Sequence, residues 1–422
     1  MHFDLLGLDV GPAPPSDHDI ERNDPVQQLP KAHSLKEERG HDFSPSWNAL
    51  LNGEQSVIKE VCQPGTRALA WRIMLQVIPK QCPPQDWSAH LQSLRAEYLA
   101  LKGRHIPDIS LLPDPLLNAS HYDEGWSGFY KHRELVACIQ RDVARIYPAG
   151  CDEDHFSAPH LQEAMVKVLT VWAKEHPLTS YRQGMHELLV PLVLALEAES
   201  SAMGKTTNFP LQDLELGGHV LESDLFWLFE LLMRSLELYY KHDDDVPPIV
   251  GICNRVQGDI LGQHDSRLCR HLEEQGCLPQ LYGMRYLRLM FGREFSFPSL
   301  FNIWDFLLSE AQHADVKQDG EGLRQVAELF IVCMLIHIRE PLLNLQESGN
   351  LFHVKGKTLM LTLTLATPLA CLSLLMKYPQ RGEGVVDLYL AIKRGGKTAG
   401  KPSYAMSEKV SSSTQHLSLM LP

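Results

Sequence analysis

"RELVACIQRDVARIYP", residues 133–148, decides how the rest of the chain is read. On a helix of 3.6 residues per turn, Leu135, Val136, Ile139, Val143 and Ile146 fall within about 100° of arc, a single apolar stripe. Asp142 lies at the edge of that stripe and Arg145 one step further round. Spaced i,i+3, the two can meet, and the carboxylate can hold the guanidinium in one direction. Pro148 disfavours a further turn, which puts Arg145 at the C-terminal end, where the helix dipole favours a cation. Taken alone, the segment is better explained by a plain helix-end salt bridge.

The same three- and four-residue spacing recurs along the chain. It marks helices over 67–77, 87–101, 160–175, 185–199, 222–241 and 267–275, and then over 282–292, 297–308, 323–340, 365–377 and 384–394. Alternating strand patterns are nearly absent, apart from an ambiguous "LMLTLTL", and no fixed repeat length is visible. Polar inserts at 200–221, 242–247 and 309–322 read as loops between helices. The expected architecture is all-α: one large helical domain over 46–395, an acidic, proline-rich arm over 1–45, and a Gly/Ser/Lys tail over 396–422, both ends flexible.

Composition narrows the function. The formal charge of −13 argues against nucleic acid as a partner, because phosphate recognition needs a basic surface. Nine cysteines without a C-x-x-C, behind an acidic first segment unlike a secretory leader, point to a reduced, cytosolic compartment. Most of these cysteines read as small buried hydrophobes. "TLMLTLTLATPLACLSLLM", 358–376, is uncharged and long enough for a membrane span. Pro368, four threonines and Ser373 dilute it, so it reads as core.

Three nucleotide and metal motifs fail on inspection. "GKT" occurs at 204–206, 356–358 and 396–398, but a phosphate-binding loop needs a glycine five residues earlier, where Glu199, Leu351 and Ala391 stand. "HELLV" at 186–190 begins like a zinc-protease helix, yet Val190 occupies the place of the second histidine ligand. Cys269, His271 and Cys277 do not match zinc-site spacing. The expectation is therefore no metal and no nucleotide held by this chain.

A second polar outlier is "SYRQGMHELLV", 180–190, where Gly184 precedes a long apolar helix and leaves Tyr181 and Gln183 on its entry loop. An ordinary helix-entry loop explains it alone. Together with Arg145 the reading changes, because one intervening helix brings both polar groups side by side. A guanidinium suits charge developing on phosphate oxygens, and a glutamine amide can orient a water for in-line attack.

Here the sequence resembles a known family. "IQRDVAR" resembles the I-x-x-D-x-x-R motif of TBC-domain Rab GTPase-activating proteins, and "YRQGMHE" their Y-x-Q-G-M-x-E motif, in the same order. Arg67 and Trp71 resemble the family's opening block, and "IWD" at 303–305 also matches. The resemblance implies that Arg145 is an arginine finger and Gln183 a glutamine finger, with Asp142 buttressing the first and Tyr181 and Gly184 shaping the loop of the second. It implies a Rab-family GTPase in its GTP form as partner, which brings magnesium and GTP with it, and a cytoplasmic protein peripheral to endomembranes. The sequence departs from the family at 278–295, where Tyr282 and Gly283 stand near an expected Trp-Phe pair, which suggests a divergent branch. Arg285, Arg288 and Arg293 in that stretch are candidates for partner contact, beside the plainer reading of a solvated basic helix face. The competing expectations are a non-catalytic helical scaffold and a membrane protein anchored through 358–376.

Overall fold

Wherever apolar residues recur at helical spacing the chain is helical, and among the described residues no strand occurs. The structure is a computed structural model and describes residues 44–106, 125–148, 155–203, 218–242, 246–314, 321–345, 370–378 and 383–394. All of these fall in one unit of the chain, Phe43–Pro422.

The principal helices are α1 Ser44–Leu51, α2 Arg67–Met74, α3 Trp87–His105, α4 Gly125–Val143, α5 Pro159–Glu175, α6 Met185–Met203 and α7 Gly218–Leu236. They continue as α8 Pro248–Arg255, α9 Ser266–Glu274, α10 Gln280–Arg288, α11 Ser299–Ala314, α12 Glu321–His337 and α13 Glu383–Lys393. Local chemistry sets several of the boundaries. Proline opens α5 and α8, where its missing N–H is no loss. The Asp265 carboxylate caps α9 by accepting from the Leu268 N–H at 2.9 Å.

Helices α4, α5, α6 and α7 pack on one another, α3 and α2 close on α7 and α6, and α11, α12 and α13 form the other main stack. Five tryptophans, Trp47, Trp71, Trp87, Trp172 and Trp304, are almost wholly buried, each gain being roughly 1.5–3 kcal/mol or more for a side chain that size. The residues of the opening block and of "IWD" meet here. The Asp305 carboxylate accepts from Trp71 Nε1 at 2.7 Å and Arg67 Nε at 3.1 Å, with Trp304 packed on Trp71. Burial raises the Asp305 carboxyl to about 6, against the pull of Arg67 and Trp71.

A second buried polar cluster joins α2, α3, α6 and α7. Arg72 donates to Glu199 at 2.7 Å and to Asp224 at 2.9 Å, and Arg95 makes a two-pronged contact with Asp224 at 2.8 Å. Tyr98 and Lys102 both reach Glu222, at 2.6 and 2.7 Å. Such networks add little net stability, but removing one member strands a buried charge at a cost of about 3–5 kcal/mol.

Three sequence expectations need correction. The insert 309–322 is not all loop: α11 continues to Ala314, with Ser309 and Glu310 buried and Glu310 paired to Lys393 and Gln55. Its polarity misled because those partners lie far away in sequence. The helix expected over 323–340 breaks at Ile338, and a separate turn of helix runs Arg339–Asn344. The helix expected over 133–147 stops at Val143. The 1–45 arm lies outside the described residues up to 43, as do the 396–422 tail, the three GKT triplets and most of 358–376. Residues 370–376 are helical with Cys371 and Leu375 buried, and among the described residues no helix is long and apolar enough to cross a membrane.

Candidate functional site

The end of α4 is built by its backbone. Ala144 N–H still bonds to Gln140 O at 2.9 Å, but Arg145 and Ile146 N–H bond three residues back, to Asp142 and Val143 O, both at 3.2 Å. This tightened last turn is the usual way to close a helix before a proline such as Pro148. Ile146 returns to the core while Arg145 points outward, its side chain 64% exposed. Its Nε donates to the Arg141 carbonyl at 3.1 Å, satisfying one of the orphan C-terminal acceptors, and its Nη2 pairs with Asp142 Oδ1.

The second loop, 176–184, runs from α5 to α6 and turns on two positive-φ residues. Ser180 has φ 51° and Gly184 φ 106°, the latter a conformation that side chains rarely adopt. A Cβ on Gly184 would also stand 3.1 Å from Leu289 Cδ2, so the loop lies close against the segment after α10. Ser180 N–H bonds back to His176 O at 2.7 Å, and Arg182 Nε to Thr179 O at 3.0 Å. Between these fixed points Gln183 is exposed, and Tyr181 is turned inward at 8% exposure.

Tyr181 joins the two elements. Its hydroxyl lies 2.8 Å from Asp142 Oδ2 and 2.9 Å from His186 Nδ1. Asp142 is buried at 6% and accepts from Arg145 on one oxygen and Tyr181 on the other. Burial, and then the hydrogen bond to Asp142, push the Tyr181 phenol far above its ordinary range, so it stays a donor. Burial pushes His186 down and outweighs the opposite pull of Glu187 and Asp142, so the ring is neutral near pH 7. Arg145, Asp142 and Tyr181 are thus joined through a buried carboxylate–phenol bridge that carries an exposed cation at one end, and the exposed Gln183 follows two residues after Tyr181 on the same loop. Tyr147 and Leu178, one on each loop, add exposed apolar surface beside them.

The three arginines near α10 fare differently. Arg285 bonds to the Met376 carbonyl at 3.0 Å and pairs with buried Glu294, and Arg288 bonds to the Tyr239 carbonyl at 2.9 Å beneath the Tyr240 ring. Both are engaged by their own chain. Only Arg293 is well exposed, at 58%, and it grips Glu187 of α6 with two bonds of 2.6 and 2.8 Å. Cys269, His271 and Cys277 are core residues: Cys269 Sγ meets the Gln257 carbonyl at 3.2 Å, and the His271 ring the Leu342 carbonyl at 3.1 Å. Burial raises the Cys269 and Cys277 thiols to about 11 and about 12, far from thiolate reactivity. Sequence reasoning passed over His186, seen only as part of an unfinished zinc motif. Its signal was a polar residue at a core-facing position of α6, one turn from Tyr181.

A family model described as the Rab-GTPase-TBC domain matches residues 120–338, just over half of the chain. The chain belongs to that family. Among curated relatives, human TBC1 domain family member 5 is 29% identical over 350 residues, covering 75% of this chain and 40% of the relative. Human TBC1 domain family member 13 is 24% identical over 363 residues, covering 67% of this chain and 83% of the relative. GTPase-activating protein gyp1 of Schizosaccharomyces pombe is 24% identical over 246 residues, covering 58% of this chain and 43% of the relative. The chain thus spans about 40% of the length of the TBC1 domain family member 5 relatives it matches. The crystal structure of the Ypt/Rab-GAP domain of Gyp1p superposes with a TM-score of 0.55 at 16% identity, over 82% of this chain and 88% of that one. At that identity the likeness establishes the TBC fold.

Proposed function

We propose that this TBC protein accelerates GTP hydrolysis by a Rab-type small GTPase and supplies two side chains in trans. The observation that carries the reading is the bridge itself: Asp142 pairs with the exposed Arg145 and accepts from Tyr181, tying the end of α4 to the loop on which the exposed Gln183 stands. Arg145 would meet charge building on the transferring phosphoryl oxygens, and the Gln183 amide would accept from and donate to the attacking water. Arginine fingers in related GTPase systems accelerate hydrolysis by about 10³- to 10⁵-fold. Because Arg145 is already tied to Asp142 and the Arg141 carbonyl, less ordering of that side chain would be left for the encounter.

In this reading GTP and its magnesium ion arrive on the partner, and this chain binds neither by itself. The setting is membrane traffic, with the protein cytoplasmic and recruited to endomembranes through partners. Arg293, exposed beside the site, is the one member of the basic trio available for contact with that partner.

The test is single-turnover GTP hydrolysis by a panel of Rab GTPases, with wild type, Arg145→Ala and Gln183→Ala. Each substitution is expected to remove about 2–4 kcal/mol of barrier lowering, with GTPase binding largely kept. Wild type that binds a Rab without stimulating it would leave a scaffold. Full stimulation by Arg145→Ala would remove the finger assignment.

A further inference from the structure

His186 occupies a variable position of Y-x-Q-G-M-x-E, so the family pattern gives it no role. It is nevertheless buried at the start of α6, with its ring against the hydroxyl that bridges the site. We propose that His186 is a positioning residue for Arg145: its Nδ1–H donates to the Tyr181 hydroxyl, which commits the single phenolic proton to Asp142 and fixes that carboxylate towards the guanidinium. The inference rests on the reading that Arg145 acts on a partner's nucleotide.

The argument is a proton count. A phenol carries one proton and here has two neighbours within hydrogen-bond distance, Asp142 Oδ2 at 2.8 Å and His186 Nδ1 at 2.9 Å. The carboxylate can only accept. Both contacts are satisfied together only when Tyr181 donates to Asp142 and His186 donates to Tyr181, which requires the Nδ1–H form of the ring. In the opposite tautomer a bare Nδ1 would compete for the phenolic proton, and Asp142 would lose one of its two fixed donors while buried.

The surroundings agree with that assignment. The charged groups around the ring are Asp142 and Arg145 from the end of α4, Glu187 on α6 and Arg293 from the segment after α10, with the Tyr181 hydroxyl between. On the far side of the ring, Nε2 lies 4.0 Å from Glu187 Oε1, beyond a hydrogen bond, because Glu187 is held by Arg293. Among the described residues the ring's one hydrogen bond is at Nδ1, where the Tyr181 hydroxyl is a ready acceptor. Protonation at Nε2 would leave the Nδ1–H bond in place, so this link depends on the presence of a donor rather than on ring charge.

Three measurements test the proposal together. Long-range proton–nitrogen spectra of histidine-labelled protein should report the Nδ1–H tautomer for His186; an Nε2–H ring overturns the hydrogen-bond chain. His186→Phe keeps an aromatic ring without a donor and should lower the maximal stimulated rate roughly tenfold, with the GTPase concentration for half-effect unchanged. His186→Asn, whose amide nitrogen can stand near the Nδ1 position, should recover most of that loss, which a purely space-filling role would not allow. A maximal rate for His186→Phe equal to wild type, in a preparation where Arg145→Ala abolishes stimulation, overturns the proposal and leaves the functional reading intact. Absence of stimulation by wild type overturns both. Should His186→Phe not fold, the tautomer spectrum and His186→Asn, expected within about twofold of wild type, still decide the matter.

Discussion

Replacing Tyr181 by Phe removes one oxygen atom from the centre of the site and leaves the ring packing in place. The hydroxyl makes two contacts, 2.8 Å to Asp142 Oδ2 and 2.9 Å to His186 Nδ1. A hydrogen bond to a charged group contributes about 1.5–3 kcal/mol, and an orphaned buried N–H adds a similar penalty. The two terms share one atom and the exposed Arg145 still faces Asp142, so the sum is expected near 2–3 kcal/mol rather than their total. Urea unfolding should therefore show a lower midpoint at unchanged slope. The same change frees Asp142 to rotate and Arg145 with it, and the stimulated rate should fall about tenfold, corresponding to ~1.4 kcal/mol of lost orientation. A stability loss below about 0.5 kcal/mol with undiminished stimulation would refute the bridge as a structural element. Loss of stability with a wild-type rate would refute its positioning role alone.

Gly184→Ala forces a side chain into φ 106°, with an expected cost of about 1–3 kcal/mol because the Leu289 methyl can yield but the backbone cannot. A thermal shift indistinguishable from wild type would count against that. Glu199→Ala strands Arg72 in the buried cluster and should destabilise by about 3–5 kcal/mol in the same unfolding assay; a loss under about 1 kcal/mol would mean that water or Asp224 compensates. His176 is 2.8 Å from Glu230, and that bond raises its pKa above the ordinary value, outweighing burial. A raised folded value means stability present at acid pH and lost as pH rises through it, so His176→Gln should destabilise more at about pH 5.5 than at about pH 8.5. Equal effects at both would contradict the pairing.

Much of this architecture was legible in periodicity alone, since helices such as α3 and α9 bury a stripe that repeats at helical spacing. The Asp142–Arg145 pair was legible for the same reason: i,i+3 contacts are local. What escaped was non-local. Ser309 and Glu310 looked like loop, yet they sit in a buried stretch of α11, and the partners of Glu310, Gln55 and Lys393, lie far away in sequence. Arg285 and Arg288 looked like a solvated face because their carbonyl partners at Met376 and Tyr239 belong to other segments. His186 was hidden by its apolar neighbours, and only the fold sets its ring beside Tyr181.

The central claim is that Arg145 and Gln183 act on one phosphoryl group as it transfers. The most direct measurement is affinity for a Rab GTPase carrying GDP and aluminium fluoride, which mimics that group in flight, compared with the same GTPase carrying a non-hydrolysable GTP analogue. The account predicts that wild type prefers the mimic and that Arg145→Ala and Gln183→Ala each lose that preference by about 10²-fold or more while binding the GTP analogue as before. Equal affinity of Arg145→Ala and wild type for the aluminium fluoride complex would contradict it.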